Sequence, residues 1–386
     1  MPELVQNIVR IIIVVPNLPV KVEQIQGGVH SAVLNLLRGA EQVPGLSIRL
    51  VSLNESIKQS SSIRFNSNVE IVQIPEGPFG YSAINYLLFG SSALKKQIRD
   101  FNPDLIHYQI GGALLFTRFS SYFSLPHLIT IHGIPSAEGK LSKKFKERAA
   151  IYLNGFIGNL LYPSNIIQIC RYSEVLVSKR KTNHTTIISN AVSPRYFEIP
   201  SKPSMTNRLV YVGAINDLKN QIYALIAIKK LRDLNKPYVI HFCGGFTNQE
   251  YESLVMNYIE EHRLQEFVNF HGWVSYNELP SILEQSDILV HTSRQEALPM
   301  VIAEAMAAGR FAIASSVGGI PEMITHGKDG FLVDLEKPEQ IVDILANLYG
   351  NGEMTATLGR EARERAGKQF NATEVALKTK LFYQEI

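Results

Sequence analysis

Cysteine is scarce in this chain. Only Cys170 and Cys243 occur among 386 residues, and both lie inside apolar runs. That excludes a disulfide scaffold and a four-ligand zinc knuckle, and it suits a reducing compartment. Long apolar runs are missing too: none approaches the roughly 20 residues needed to span a bilayer. The best N-terminal run, Ile11 to Val15, is cut by Pro16 and Pro19. It lacks the basic start and small-residue cleavage site of a signal peptide, and it reads as a buried strand. Charge of one sign hardly prevails. With 38 Lys and Arg against 35 Asp and Glu the net is +3, and no nucleic-acid reading motif accompanies it, so no nucleic-acid partner is expected. There is no solenoid-length repeat and no low-complexity tract. A 45% hydrophobic content rules out disorder.

What is present is length for two domains. Residues 1–200 carry 20 Lys and Arg and 12 Asp and Glu, a net of +8, while the remainder carries 18 and 23, a net of −5. Different charge in the two halves suits different partners. Short β-branched runs alternate with helical patterns. In the first half the strands are expected at Ile8–Val15, Ser47–Leu53, Val69–Ile74, Leu105–Tyr108, His127–Ile131, Ile166–Cys170 and Thr185–Ile188. In the second they are expected at Leu209–Val212, Tyr238–Cys243, Phe267–Phe270, Ile288–His291, Phe311–Ala314 and Gly330–Val333. Near-continuous apolar strands with helical crossovers indicate parallel sheets covered on both faces. Three prolines between Ser193 and Pro203 mark a linker, which we expect to form part of a hinge. The expected architecture is therefore α/β with two Rossmann-like domains, 1–192 and 207–370, joined by a linker at 193–206. Such sheets bind ligands at the carboxyl ends of their strands, here in a central cleft.

The stretch from Ser293 to Gly309 holds the most chemistry. It follows the buried strand Ile288–His291. Pro299 suits the first turn of a helix and Gly309 its C′ position. Glu296 then lies in the strand-to-helix loop and Glu304 on the helix, with the free N–H groups of the first turn, Met300 to Ile302, at the same mouth. A helix N-terminus favours phosphate. Two carboxylates flanking such a turn suit a ligand both hydroxylated and phosphorylated, although two solvated glutamates would give the same spacing.

This segment resembles the Glu-x7-Glu signature of the family four (group 1) retaining glycosyltransferases of the GT-B fold. Val317-Gly318-Gly319-Ile320-Pro321-Glu322 and Gly327 to Val333 are similar to the next two blocks of that family, in order. Tyr211-Val212-Gly213, Lys219-Asn220 and Phe270-His271-Gly272 match upstream. Gly27-Gly28-Val29, Pro103 to His107, Thr130 to Gly133 and Ser189 to Val192 match more loosely. The resemblance implies a metal-independent glycosyltransferase that needs no cofactor. It would move a sugar, with retention, from a nucleoside diphosphate donor, a UDP- or GDP-sugar, to a hydroxyl of a glycan or lipid-linked acceptor. Polysaccharide or glycolipid synthesis on the cytoplasmic side is the implied setting. Glu296 would bind donor-sugar hydroxyls, Glu304 the ribose and Lys219 the diphosphate. Leu298, Pro299, Met300 and Val301 would supply backbone N–H groups to sugar and phosphate. Gly27 and Gly28 would let the backbone approach the diphosphate, and His132 would face the reacting carbon. Ile320-Pro321-Glu322 would sit near the nucleotide sugar or the site wall. A last helix near Asn371–Glu385, within 371–386, would pack back on the first domain.

Three positions depart from the family pattern. Ala214 stands where an Arg is usual, Gln109 where many relatives have a second His, and Ala297 where many have Gly. Losing a charge-assisted contact is worth about 1.5–3 kcal/mol, unless another cation reaches the phosphate. A non-catalytic sugar-nucleotide-binding protein and a GT-B sugar-nucleotide epimerase therefore stay open as alternatives. Residues 139–181 hold nine Lys and Arg and two Glu, a net of +7, around the apolar stretch Ile151 to Tyr162. Such a stretch can dock peripherally on an anionic inner membrane face, or be a solvated helix beside a core helix.

Overall fold

The structure, a computed structural model, describes residues 8–15, 17–19, 27–54, 57–75, 91–109, 124–133, 163–176, 182–200 and 207–386. The basic stretch 139–181, apart from residues 163–176, and the linker residues 201–206 lie outside the described residues. The chain forms two compact units. One is Met1–Ala191 together with Asn371–Ile386, and the other is Val192–Phe370.

Among the described residues the first unit has eight strands: β1 (Val9–Val14), β2 (Leu46–Asn54), β3 (Ser61–Arg64), β4 (Val69–Pro75), β5 (Leu105–Tyr108), β6 (His127–Ile131), β7 (Asn165–Gln168) and β8 (His184–Ile187). Their order is β3-β4-β2-β1-β5-β6-β7-β8. All neighbours run parallel except β3 and β4. β1 is Val-Arg-Ile-Ile-Ile-Val, and its last four residues are buried, as a strand covered on both faces requires. The edge strand β3 was not expected. All four of its residues are exposed, so it carries no apolar period to read.

Among the described residues, two helices cover one face. The helix Gly28–Ala40 buries Val33, Leu34 and Leu37. The helix Ala372–Tyr383 buries Val375, Ala376, Phe382 and Tyr383 in the same core. Asn371 starts this last helix: its side chain accepts hydrogen bonds from the Thr373 and Glu374 N–H groups, satisfying donors that a helix start leaves over.

The second unit has six parallel strands: β9 (Arg208–Val212), β10 (Val239–Cys243), β11 (Val268–Phe270), β12 (Ile288–His291), β13 (Phe311–Ser315) and β14 (Gly330–Val333). Their order is β11-β10-β9-β12-β13-β14. The order reverses between β9 and β12, and sheets of this kind bind ligands outside the carboxyl ends at that point. Residues 193–200 of the proline-rich segment are packed in this unit. Pro194–Phe197 is a helix, Tyr196 is fully buried, and the Arg363 guanidinium donates to the carbonyls of Tyr196, Phe197 and Ile199.

Candidate functional site

In the second unit the site forms where β9 and β12 end. The turn Asn216–Asn220 and the loop Thr292–Glu296 are stitched side by side. Thr292 Oγ1 donates to the Asn220 carbonyl at 3.0 Å, Ser293 Oγ to that of Leu218 at 3.2 Å, and the Arg294 N–H to the same Leu218 carbonyl at 2.8 Å. Tyr211 of β9 donates its hydroxyl to the Lys219 carbonyl. Asn216 accepts from the Lys219 N–H through both its side chain and its carbonyl, at 3.0 and 3.1 Å. The Lys219 backbone is thus held from both sides.

This stitching brings Lys219 and Glu296 together. Lys219 Nζ forms an ion pair with Glu296 Oε1. His291, buried at the end of β12, donates from Nε2 to the same oxygen at 2.9 Å, and its ring stacks on Tyr211. Burial would push the Glu296 carboxyl up, but His291 and then Lys219 outweigh it and lower it to about 2. Glu296 is therefore an acceptor of hydrogen bonds at any ordinary pH.

Gly318 explains the Gly-Gly pair downstream. Its φ is +56°, and a Cβ there would lie 1.7 Å from the Glu296 carbonyl oxygen. Only glycine lets this backbone pass, and the Gly319 N–H donates to that carbonyl at 3.3 Å.

Beyond the loop lies the helix Met300–Ala307. Pro299 is its N-cap residue, not part of its first turn as expected; its ψ of 114° is extended, and the helical run begins one residue later. Gly309 ends it as expected. The Gly309 N–H donates to the Met306 carbonyl at 2.9 Å and that of Arg310 to Ala305 at 2.8 Å, with a Gly309 φ of +72°, a Schellman motif. Leu298 and Pro299 are buried, and Met300 and Val301 are half-buried. Glu304, on the same helix, has different neighbours from Glu296. Burial raises its carboxyl to about 7, against the pull of Arg195 and a hydrogen bond from Tyr196. Arg195 stacks over the Tyr276 ring, 3.2 Å from its centroid. Sequence reasoning missed Arg195, because a single arginine in a proline-rich segment carries no periodic signal. Ile320-Pro321-Glu322 opens a short helix directly after the Gly-Gly pair.

Ala214 contributes no cation, but Arg294 lies along the Lys219 turn. Its Nε donates to the Asp217 carbonyl at 3.0 Å and its Nη2 to Asn220 Oδ1 at 3.2 Å.

The first unit holds His132, Gly27 and Gly28. Gly27 has φ +97° with open space around a Cβ position, and Gly28 is exposed at the start of its helix. A side chain at Gly27 would be strained. His132 follows β6, and its Nε2 lies 2.8 Å from Gln109 Oε1. Burial lowers its imidazole to about 4, with Asn190 weighing the other way. Among the described residues no group of three or more His, Cys, Asp or Glu could hold a metal ion. No helix among them is long and apolar enough to cross a membrane.

Comparison with known proteins covers both units. Residues 192–365 match the profile of "Glycosyl transferases group 1", and residues 26–196 that of "Glycosyltransferase Family 4". An uncharacterized glycosyltransferase of Methanocaldococcus jannaschii is 25% identical over 79% of this chain and 82% of its own. The sucrose-phosphate synthase of Thermosynechococcus elongatus has a similar structure. Its TM-score is 0.79 at 17% identity, over 98% of each chain. The Anabaena protein HepE, solved with UDP-glucose, gives a TM-score of 0.71 at 17% identity, over 98% of this chain and 100% of that one. These likenesses, with the two parallel sheets, give the GT-B fold.

Proposed function

Because this chain belongs to the group 1 glycosyltransferases, we propose that it moves a sugar from a nucleoside diphosphate donor to a hydroxyl acceptor, with retention and without a metal. The observation that carries the reading is the Lys219–Glu296 pair, anchored by His291 at the switch point of the second sheet. In the free enzyme the two charges satisfy each other. A bound donor separates them. Lys219 then takes the diphosphate, and Glu296 accepts hydrogen bonds from sugar hydroxyls. Glu304 takes the ribose, and the N–H groups of Met300 and Val301 face sugar and phosphate. A UDP- or GDP-sugar fits this division, and UDP-glucose bound to the structurally similar Anabaena protein favours UDP.

In the transfer step the bond from the anomeric carbon to the phosphate oxygen breaks. The leaving diphosphate keeps the electron pair. The acceptor oxygen attaches on the same face, and its proton passes to a phosphate oxygen. Negative charge grows on the diphosphate, where Lys219 and the helix N–H groups stabilise it. Arg294, whose guanidinium also faces the Asp217 carboxylate at 3.9 Å, swings to the diphosphate and makes up for Ala214. Arg294→Ala is expected to weaken donor binding about tenfold or more, measured by calorimetric titration. Unchanged affinity would remove Arg294 from the site.

The acceptor is a glycan or a lipid-linked glycan, and the basic stretch 139–181 supplies the contact with an anionic membrane. Sedimentation with vesicles containing phosphatidylglycerol tests this. Equal recovery with neutral vesicles counts against it.

The main experiment incubates the protein with UDP-, GDP-, ADP- and dTDP-sugars and follows diphosphate release beside Lys219→Ala and Glu296→Gln. The reading expects slow release with one donor, lost roughly 10- to 100-fold in each variant. Tight binding with neither release nor epimer would favour a sugar-nucleotide-binding protein. An epimer formed without acceptor would favour an epimerase.

A further inference from the structure

Behind His132 the first unit buries a chain of polar side chains that nothing above uses. Gln109, just past β5, holds the His132 ring at Nε2 through its carbonyl oxygen, at 2.8 Å. Its amide nitrogen lies 3.2 Å from His107 Nε2 and 3.4 Å from His107 Nδ1. His107 Nε2 also lies 2.7 Å from Thr130 Oγ1, and His107 Nδ1 lies 2.7 Å from the hydroxyl of Tyr383. Tyr383 belongs to the last helix, Ala372–Tyr383. His107, Gln109, Thr130 and Tyr383 are all buried. His107, Gln109, Thr130, His132 and Asn190 also line a cavity of about 30 Å³.

Donor and acceptor parity fixes the proton of His132. A carbonyl oxygen only accepts, so His132 must carry its proton on Nε2 to bond Gln109 Oε1. The Gln109 amide nitrogen, almost equally far from both ring nitrogens of His107, lies against that ring and fixes no proton on it, and the Thr130 and Tyr383 hydroxyls can each donate or accept. His107 is held between Thr130 at Nε2 and Tyr383 at Nδ1 in either neutral tautomer. Both imidazoles are neutral at ordinary pH. Burial and then the neighbouring His132 lower His107 to about 3, and His132 titrates near 4. His132 Nδ1 is left as a buried lone pair with no partner at hydrogen-bond geometry, although the Asn190 side chain lies close enough to the ring to act on it. A buried acceptor in that state favours any hydroxyl that can donate to it.

We propose that Tyr383, His107 and Gln109 are positioning residues that lock His132 as the Nε2–H tautomer, so that Nδ1 accepts a hydrogen bond from a substrate hydroxyl. The proposal rests on the transferase reading for the identity of that hydroxyl, on the donor sugar or the acceptor, but not for the tautomer. It gives the last helix a part in the chemistry of the first unit.

The test is long-range ¹H–¹⁵N correlation of the full chain labelled at histidine, at neutral pH. His132 is expected as the Nε2–H form and His107 as a neutral imidazole. Tyr383→Phe, which keeps the ring, and Gln109→Met are expected to give His132 as a tautomer mixture. Gln109→Glu still accepts from Nε2–H and should keep the proton there. With whichever donor the panel selects, Tyr383→Phe and Gln109→Met are expected to lower kcat roughly 10- to 100-fold. A donor KM left unchanged would put that hydroxyl on the acceptor, and one raised together with the fall in kcat would put it on the donor sugar. A wild-type His132 protonated on Nδ1, or as imidazolium, overturns the proposal. So does a tautomer indifferent to both variants, or a rise in KM with kcat untouched. The expected His132 tautomer in a protein that turns over no sugar nucleotide would uphold the lock while defeating the transferase reading.

Discussion

Glu304 is held against its ordinary preference. Its carboxyl ionises near the usual 4.5 in the unfolded chain and near 7 in the folded one, chiefly because of burial. Between those values the unfolded chain binds fewer protons. Stability therefore falls as pH rises through that window and levels off above it. At about 1.4 kcal/mol per pKa unit the loss is roughly 3 kcal/mol. Glu304→Gln removes the titration. The variant should melt several degrees above wild type at pH 8 and close to it at pH 5, while its donor affinity falls. Thermal melts at the two pH values check this, and a gap independent of pH would refute it. Glu296 shows the opposite case. Held at about 2 by His291 and Lys219, it gives no step in activity between pH 5 and 8. Gly318→Ala forces a side chain onto the Glu296 carbonyl. It should lower both stability and diphosphate release, read by melting and by the donor assay on one preparation.

At the scale of elements, the last helix depends on its first residue. Asn371→Ala leaves two N–H groups without their acceptor and should cost about 1 kcal/mol, seen as a lower Tm. This helix was readable from sequence because its cap and apolar face are local. So were thirteen of the fourteen strands among the described residues, most of them buried runs rich in β-branched side chains. The exposed β3 carries no such pattern. In the site, Glu296, Glu304 and Lys219 were legible through their spacing and their resemblance to a family. The partners that set their charge were not. His291 reads as an ordinary strand residue, and Arg195 falls in a segment that looked like linker. Tyr383 meets His107 across 276 positions of chain. Contacts that distant depend on how the whole unit folds, and no local period encodes them.

For the molecule as a whole, the second unit is an uninterrupted stretch set into the first. Its two ends lie side by side: the Val192 N–H donates to the Phe370 carbonyl at 2.8 Å. Residues 192–370 expressed alone should therefore fold cooperatively and bind the donor, as calorimetry of that fragment would report. Residues 1–191 alone should not, because Val375, Ala376, Phe382 and Tyr383 complete their core. Adding the segment 371–386 through a short fused linker should restore folding, and failure to do so would mean that the second unit is needed as well.

That arrangement also sets an order of events on the ribosome. The core of the first unit stays open until the helix Ala372–Tyr383 has left the exit tunnel. By then the stretch from Val192 to Phe370 has already emerged. The half of the protein that is translated second is free to mature first, and the half translated first must wait with an apolar face uncovered, the state in which a nascent chain most needs a chaperone.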